Sequence, residues 1–255
     1  MNQISSDYRT SHLHKGYSYD DDLSIDAWNA YTAKEELSVI RDIIQKRFPQ
    51  RPTRCMDFAC GTGRLTVILE DLAEECVGID VSQSMLQKAE EKCKKSSLLL
   101  CDITKESPDL GIFDLITALR FFGNAQETLR LEVLSALYHY LTPDGYLILN
   151  NHRNPNAVQN LLYRGTGGKS NMNLSFSRLK RHARICGFEV VDLRGIGGWS
   201  LRHRWQSWVE NPSKGVELLE RMSRIRAFAA LAPDWIAVLR KITQEDQVGD
   251  RSGRP

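Results

Sequence analysis

The chain has 255 residues and a net charge of +2, and its 42% hydrophobic and 26% charged residues are typical of a globular protein that can bury a core. Its apolar runs all fall short of the roughly 18 residues that cross a bilayer, and its polar N-terminus lacks the apolar stretch of a secretory signal, so we expect a cytoplasmic protein. The six cysteines include no Cys-x-x-Cys pair, which predicts reduced thiols and neither a disulfide framework nor a metal site.

The first predicted element is a helix at residues 24–48, where apolar residues recur at helical spacing until Pro49 ends the run. Strands and helices then alternate along the chain. Strands are predicted at residues 54–59, 77–80, 97–103, 113–119 and 146–150, and helices at 65–72, 82–94 and 126–141. This alternation predicts a mainly parallel sheet, in which ligands lie beyond the carboxyl ends of the strands.

After residue 151 the alternation loosens. The pattern predicts a helix at 177–186 that Gly187 stops, a strand at 188–193 and a last strand at 235–239. The long connection between these strands, residues 195–228, carries helical patterns of its own and three tryptophans.

A glycine-rich loop, Asp57-Phe-Ala-Cys-Gly61-Thr-Gly63-Arg64, joins the first strand to a helix. Such a loop lets backbone N–H groups approach a ligand without an intervening Cβ atom. Asp80 ends the next strand 19 residues after Gly61, where a ribose diol would lie, and Asp102 ends the third strand, where a carboxylate can accept from adenine.

Two ligand classes fit a loop of this kind. A nicotinamide-binding domain shares the acid on the ribose, but its Gly-x-Gly-x-x-Gly pattern would require a third glycine where this chain has Thr66. Asp57 and Asp80 surround the loop with negative charge, which suits a ligand with an ammonium and a sulfonium better than a diphosphate. The loop therefore favours S-adenosylmethionine (SAM).

The segment from Arg54 to Asn151 resembles the class I SAM-dependent methyltransferases. Three stretches carry most of the resemblance: Asp57-Phe-Ala-Cys-Gly-Thr-Gly63, Gly78-Ile-Asp80-Val-Ser-Gln-Ser-Met-Leu86 and Cys101-Asp102-Ile103. Ala59 departs from the family pattern, which more often has glycine there. The resemblance implies an α/β, Rossmann-like fold: a seven-stranded, mainly parallel sheet with helices on both faces, an antiparallel last strand and a helical insertion before it.

The same resemblance implies SAM as the cofactor. Asp80 would hold the ribose hydroxyls and Asp102 the adenine amine, while Gly61 and Gly63 would lie against the methionine part. The predicted cofactor-binding residues are Asp57, Ala59, Gly61, Gly63, Asp80, Val81, Met85, Asp102, Ile103 and Leu119.

We interpret residues 1–243 as one methyltransferase domain. It would comprise an N-terminal helix or lid at 1–48, a SAM-binding core at 54–151 and an acceptor-side half at 152–241 that includes the helical insertion 195–228. Residues 244–255 form a polar tail that we expect to be disordered.

Two residues are candidates for catalysis. His152 directly follows the fifth strand, at the edge where the methyl group should point, and could serve as a base for a hydroxyl acceptor or simply bond to the loop backbone. Arg120 follows the fourth strand and could orient an acidic acceptor or pair with a carboxylate of the protein. An amine acceptor would need no base, provided that it binds unprotonated.

The charge distribution bears on the acceptor. Residues 1–150 carry 16 Lys and Arg against 23 Asp and Glu, whereas residues 151–241 carry 16 against 6. The basic half is either a solvated surface or a region that attracts an anionic substrate. Nucleic acid is not expected, because no basic helix with interleaved aromatic residues is present.

The sequence thus predicts a methyltransferase that acts on an oxygen or nitrogen atom of a small molecule, which can be anionic or sugar-like. A nicotinamide-dependent oxidoreductase is the alternative enzyme. A SAM-binding subunit without catalysis is the other alternative, because it would share every motif up to Asp102. The identity of the acceptor and the oligomeric state stay open.

Overall fold

The computed structural model describes Tyr8 and residues 27–158, 160, 174–197 and 214–242. The strands in chain order are β1 (Arg54–Phe58), β2 (Glu75–Asp80), β3 (Ser97–Leu100), β4 (Phe113–Ala118), β5 (Leu141–Asn151), β6 (Phe188–Ile196) and β7 (Asp234–Lys241). The helices are α1 (Ala27–Arg47), α2 (Thr66–Leu72), α3 (Gln83–Lys92), α4 (Glu127–Tyr140), α5 (Phe176–Ile185), α6 (Lys214–Ser223) and α7 (Arg226–Ala229).

All seven strands form one sheet in the order β3-β2-β1-β4-β5-β7-β6. The pairings from β3 through β5 are parallel, and β7 lies antiparallel to both β5 and β6. The predicted fold class is therefore confirmed. Because the strand order reverses between β1 and β4, the carboxyl ends of these two strands flank the position where such sheets bind ligands.

Apolar side chains cover both faces of the sheet. On one face, α1 contributes Ile40, Ile43 and Ile44 to a buried cluster that includes Leu69 of α2. On the other face, α4 and α5 pack into a larger cluster. This arrangement explains the near-continuous apolar runs in the central strands, which are buried on both sides.

Several predicted boundaries differ from the observed ones. The third strand ends at Leu100, so Asp102 and Ile103 lie in the turn that follows it. The fifth strand begins at Leu141, because a shift in its pairing with β4 accommodates the predicted Pro143-Asp-Gly145 turn within the strand. The strand predicted at 188–193 runs on to Ile196, past the start predicted for the insertion.

Much of the predicted insertion, its tryptophans Trp199, Trp205 and Trp208, most of the N-terminal lid and the tail at 244–255 lie outside the described residues. Within the described part of the chain, no helix is both long and apolar enough to span a membrane.

Candidate functional site

An open cavity lies at the carboxyl ends of β1, β2 and β4. The cavity and the solvent at its open mouth together occupy about 1030 Å³. Nine of the residues predicted from the sequence line it: Asp57, Ala59, Gly61, Asp80, Val81, Met85, Asp102, Leu119 and Arg120. Gly63, Ile103 and His152 are not among its lining residues.

The two glycines of the loop have different surroundings. Gly61 has φ +56°, and a Cβ atom on it would meet nothing within 4 Å, so this residue faces open space in the cavity. Gly63 has φ +78°, and its Cβ would lie 2.8 Å from Cys93 Sγ and 3.0 Å from Ala89 Cβ. Gly63 therefore allows the loop to pack closely on α3, whereas Gly61 leaves room for a ligand.

Asp80 holds the glycine loop against the end of β2. Its Oδ2 atom accepts a hydrogen bond from the Gly61 backbone N–H at 2.8 Å, and its Oδ1 atom accepts from the Ser82 N–H at 2.9 Å. Burial raises the pKa of Asp80, and these backbone N–H groups counteract the effect. Each carboxylate oxygen keeps acceptor capacity that suits a pair of ribose hydroxyls.

Asp57 lies deeper, at the end of β1, where 2% of its surface is exposed. Thr66 and Thr117 donate hydroxyl hydrogen bonds to it at 2.7 and 2.8 Å. Burial nevertheless raises its pKa to about 6, because the desolvation of the charge outweighs both hydrogen bonds. A cationic ligand in the cavity would favour the ionised form.

The far end of the cavity carries the residues predicted to hold adenine. The Asp102 Oδ1 atom accepts from both the backbone N–H and the hydroxyl of Thr104, which closes the turn after β3. Val81 is partly exposed and Met85 is buried at the start of α3. Ser82 caps this helix by accepting from the Met85 N–H, as its position in the sequence predicts.

Sequence reasoning missed one buried charge beside the cavity. Glu36 of α1 accepts from Arg64 at 3.1 Å and from Arg120 at 3.2 Å, and its side chain is 1% exposed. Burial would raise the pKa of Glu36, but the charges of Arg120 and Arg64 hold it below the ordinary value. A carboxylate in an amphipathic helix gives no sequence signal of burial, so only the tertiary structure reveals this group.

His152 lies just beyond these charges. It is half-buried, and it is close enough to Glu36 that its own charge also lowers the pKa of that carboxyl. Arg120 is in the cavity wall, His152 is not among the wall residues, and both interact with Glu36. The role of His152 as a base stays a prediction.

Three residues other than glycine adopt a positive φ just beyond the ends of strands. They are Ala59 after β1 (φ 54°), Arg120 after β4 (φ 58°) and Arg153 after β5 (φ 66°). A side chain in this conformation costs about 1–2 kcal/mol, and such strain tends to occur at functional sites. Ala59 stands where the family that this segment resembles more often has glycine, and glycine reaches a φ of 54° without this cost.

Comparisons with known proteins agree with this geometry. Residues 55–145 match a family model described as a methyltransferase domain. The matched residues are a little over a third of the chain, and this part of the sequence is similar to methyltransferase domains. The match favours SAM over a nicotinamide nucleotide as the ligand of the glycine-rich loop.

Two curated relatives show how far the sequence similarity of this chain extends. A methyltransferase named YqeM from Bacillus subtilis is 28% identical over 116 residues, which are 43% of this chain and 46% of the relative. The ubiquinone biosynthesis O-methyltransferase of Methylococcus capsulatus is 26% identical over 160 residues, 56% of this chain and 66% of the relative. The aligned part is thus less than two thirds of either relative.

Solved structures extend the similarity of fold over most of the chain. The plantazolicin methyltransferase BpumL in complex with S-adenosylhomocysteine (SAH) has a TM-score of 0.57 at 17% identity and covers 92% of this chain and 95% of its own. The magnesium protoporphyrin IX methyltransferase of Synechocystis with bound SAM has a TM-score of 0.62 at 13% identity, with 94% and 100% covered.

Proposed function

We propose that this protein transfers a methyl group from SAM to an oxygen or nitrogen atom of a small-molecule acceptor. The observation that carries the proposal is the form of the cavity. It is a concave pocket, and the Arg64 and Arg120 side chains in its wall are both paired with the buried Glu36. A nucleic-acid substrate would instead require a solvent-facing row of cations along its backbone.

The residues of the pocket suit the parts of SAM one by one. The open space at Gly61, which a Cβ would enter, fits the approach of a ligand to the loop backbone. Asp80 would hold the ribose hydroxyls and Asp102 the adenine amine, with Val81 and Met85 beside the ring. Asp57 places a negative charge near the loop, where it would offset the positive charges of the ligand.

SAM supplies an electrophilic methyl group on a sulfonium. The contribution of the protein is mainly to align the acceptor with that group and to exclude water, and alignment of this kind lowers barriers by several kcal/mol. For a hydroxyl acceptor we propose that His152 removes the proton. The ionised Glu36 beside it would stabilise the imidazolium that this transfer produces.

The names of the similar proteins support an oxygen or nitrogen acceptor. They include the ubiquinone biosynthesis O-methyltransferase already described and the N-methyltransferase NodS of Bradyrhizobium japonicum, whose structure has a TM-score of 0.52 at 12% identity. The acceptor itself is to be found by experiment.

The test is to incubate the protein with SAM and a panel of phenols, carboxylic acids, amines and sugars, and to measure SAH formation and methylated product by mass spectrometry. We expect acceptor-dependent SAH with at least one class. The control is Asp80→Asn, whose amide cannot accept from both the Gly61 and Ser82 N–H groups and should lower SAM affinity by about tenfold or more. Methylated product from an RNA or protein acceptor, with none from any of the small molecules, would contradict the proposal.

A further inference from the structure

Another buried carboxylate lies outside the cavity, at the junction of α1, β6 and α6. Glu220 of α6 is 8% exposed and is not among the residues that line the cavity. Its Oε1 atom accepts from the backbone N–H of Gly197, directly after β6, at 3.2 Å. Its carboxylate also accepts from the hydroxyl of Tyr31 in α1. One side chain of α6 thus bonds to both neighbouring elements.

Two further contacts hold α1 at this junction. Glu35, one turn after Tyr31, forms an ion pair with Arg224, which directly follows α6. The ring of Trp28 packs against Gly197, where a Cβ atom would lie 2.9 Å from it. The N-terminal half of α1 is therefore fixed by α6 and by the end of β6.

The same helix supports the wall of the cavity. Arg64, which lines the cavity, donates to the backbone oxygen of Ala33 at 3.3 Å and to Glu36 at 3.1 Å. Glu36 also accepts from Arg120 at 3.2 Å. Because Glu35 and Glu36 are adjacent in the sequence, a single turn of α1 connects the junction to two side chains of the cavity wall. A displacement of α1 at the junction is therefore expected to reach the cavity.

The charges at the junction are poorly balanced when Glu220 is ionised. Glu220 and Glu35 then face the single guanidinium of Arg224. Burial raises the pKa of Glu220 to about 7 from 4.5, and the charge of Glu35 acts in the same direction. The hydrogen bonds from Gly197 and Tyr31 and the charge of Arg224 oppose this shift without cancelling it. Because the raised pKa belongs to the folded junction, the free energy that holds the junction together falls as pH rises through about 4.5–7.

We propose that Glu220 is a proton-dependent latch on α1. In its neutral form it holds α6 and the end of β6 on the N-terminal half of α1, and its ionisation loosens α1 and, with it, the cavity wall at Arg64 and Arg120. Ligand affinity is thereby coupled to a proton bound outside the cavity. The inference rests on the proposed SAM site only for this effect on affinity.

Hydrogen–deuterium exchange of the full chain, corrected for the intrinsic effect of pH, measures the opening of α1. From about pH 5.5 to about pH 8, the protection of residues 27–35 in the wild type should fall by about tenfold or more relative to Glu220→Gln. The glutamine stays neutral, and its amide can still accept from Gly197. Glu217→Gln is the matched control, because it removes an exposed carboxylate one turn earlier on the same helix and should behave like the wild type.

Calorimetry with SAH at the same two pH values tests the connection to the cavity. Glu220→Gln should bind SAH about threefold or more tightly than the wild type at about pH 8 and within about twofold of it at about pH 5.5. Asp57 titrates in both proteins, so the comparison at equal pH isolates Glu220. In Glu35→Gln the carboxylate that shares Arg224 with Glu220 is removed, and the pH dependence of α1 protection should be smaller than in the wild type.

The same pH dependence of α1 protection in the wild type and in Glu220→Gln would overturn the latch. Weaker SAH binding and a lower melting temperature of Glu220→Gln at both pH values would overturn it as well, because a merely structural carboxylate gives that result. Altered α1 protection with equal SAH affinity at the higher pH would exclude the connection to the cavity. Wild-type protein that binds no SAH at either pH would refute the SAM site, whereas the exchange measurement would still decide on the latch.

Discussion

The same substitution is expected to have different effects at the two glycines of the loop. In Gly61→Ala the new methyl group would point into the cavity, where no protein atom lies within 4 Å. In Gly63→Ala it would lie 2.8 Å from Cys93 Sγ and 3.2 Å from the backbone Cα atom of Ala89. We therefore expect the first variant to lose cofactor affinity and the second to lose stability.

The magnitudes follow from backbone conformation and packing. Gly61 has φ +56°, and Ala59 of the same loop already adopts φ 54°, so an alanine at position 61 can keep the fold at a cost of about 1–2 kcal/mol. Gly63→Ala carries a similar conformational cost and, in addition, about 1–3 kcal/mol of overpacking against α3. For a chain of this size, 1 kcal/mol corresponds to about 2–4 °C in melting temperature.

Thermal melts without ligand and calorimetric titrations with SAH measure the two effects separately. Gly61→Ala should melt within about 8 °C of wild type yet bind SAH at least about tenfold more weakly, because its methyl group occupies ligand space. Gly63→Ala should melt lower than Gly61→Ala. Wild-type SAH affinity in a folded Gly61→Ala protein would show that this face of the loop is not a ligand surface, and the placement of the cofactor would be wrong.

Two further predictions concern single titratable groups. Because burial raises the Asp57 pKa to about 6 from 3.8, its folded form binds a proton more readily than the unfolded form, so unfolding free energy falls as pH rises through about 4–6. In urea unfolding, Asp57→Asn should therefore be more stable than wild type by about 1–3 kcal/mol at pH 7–8, and this difference should vanish near pH 4. The variant should nevertheless bind SAM more weakly. A stability difference that stays constant across pH would contradict this cause. His152→Ala should lower turnover of a hydroxyl acceptor by about 10²–10⁴-fold with SAH affinity unchanged, and a loss below tenfold would exclude His152 as the base.

Local sequence patterns were sufficient for most elements of the fold. The alternation of apolar strands and helices predicted the sheet, and Ser82 marked the start of α3 by its capping side chain. Boundaries were less well predicted where pairing decides them. The β5 strand extends back to Leu141 because its register on β4 shifts around the Pro143-Asp-Gly145 segment, and no local pattern specifies such a shift.

The candidate site divides in the same way. The loop from Asp57 to Gly63 and the acid at Asp80 could be predicted from the sequence, because each belongs to a short motif at a strand end, where neighbours in sequence are also neighbours in space. The different surroundings of Gly61 and Gly63 could not be predicted from the sequence, because α3 approaches only one of them in the folded chain.

By itself, the sequence determined the fold class and the strand ends around which the site is built, and it predicted SAM as the cofactor. Only the tertiary structure decided that Glu36, on a helix outside the matched family segment, meets Arg64 and Arg120 across the cavity wall. The physical reason is that a buried ion cluster is defined by atoms brought together from distant segments. In the sequence each of its members is an ordinary charged residue, and only the folded chain brings them together in a buried cluster.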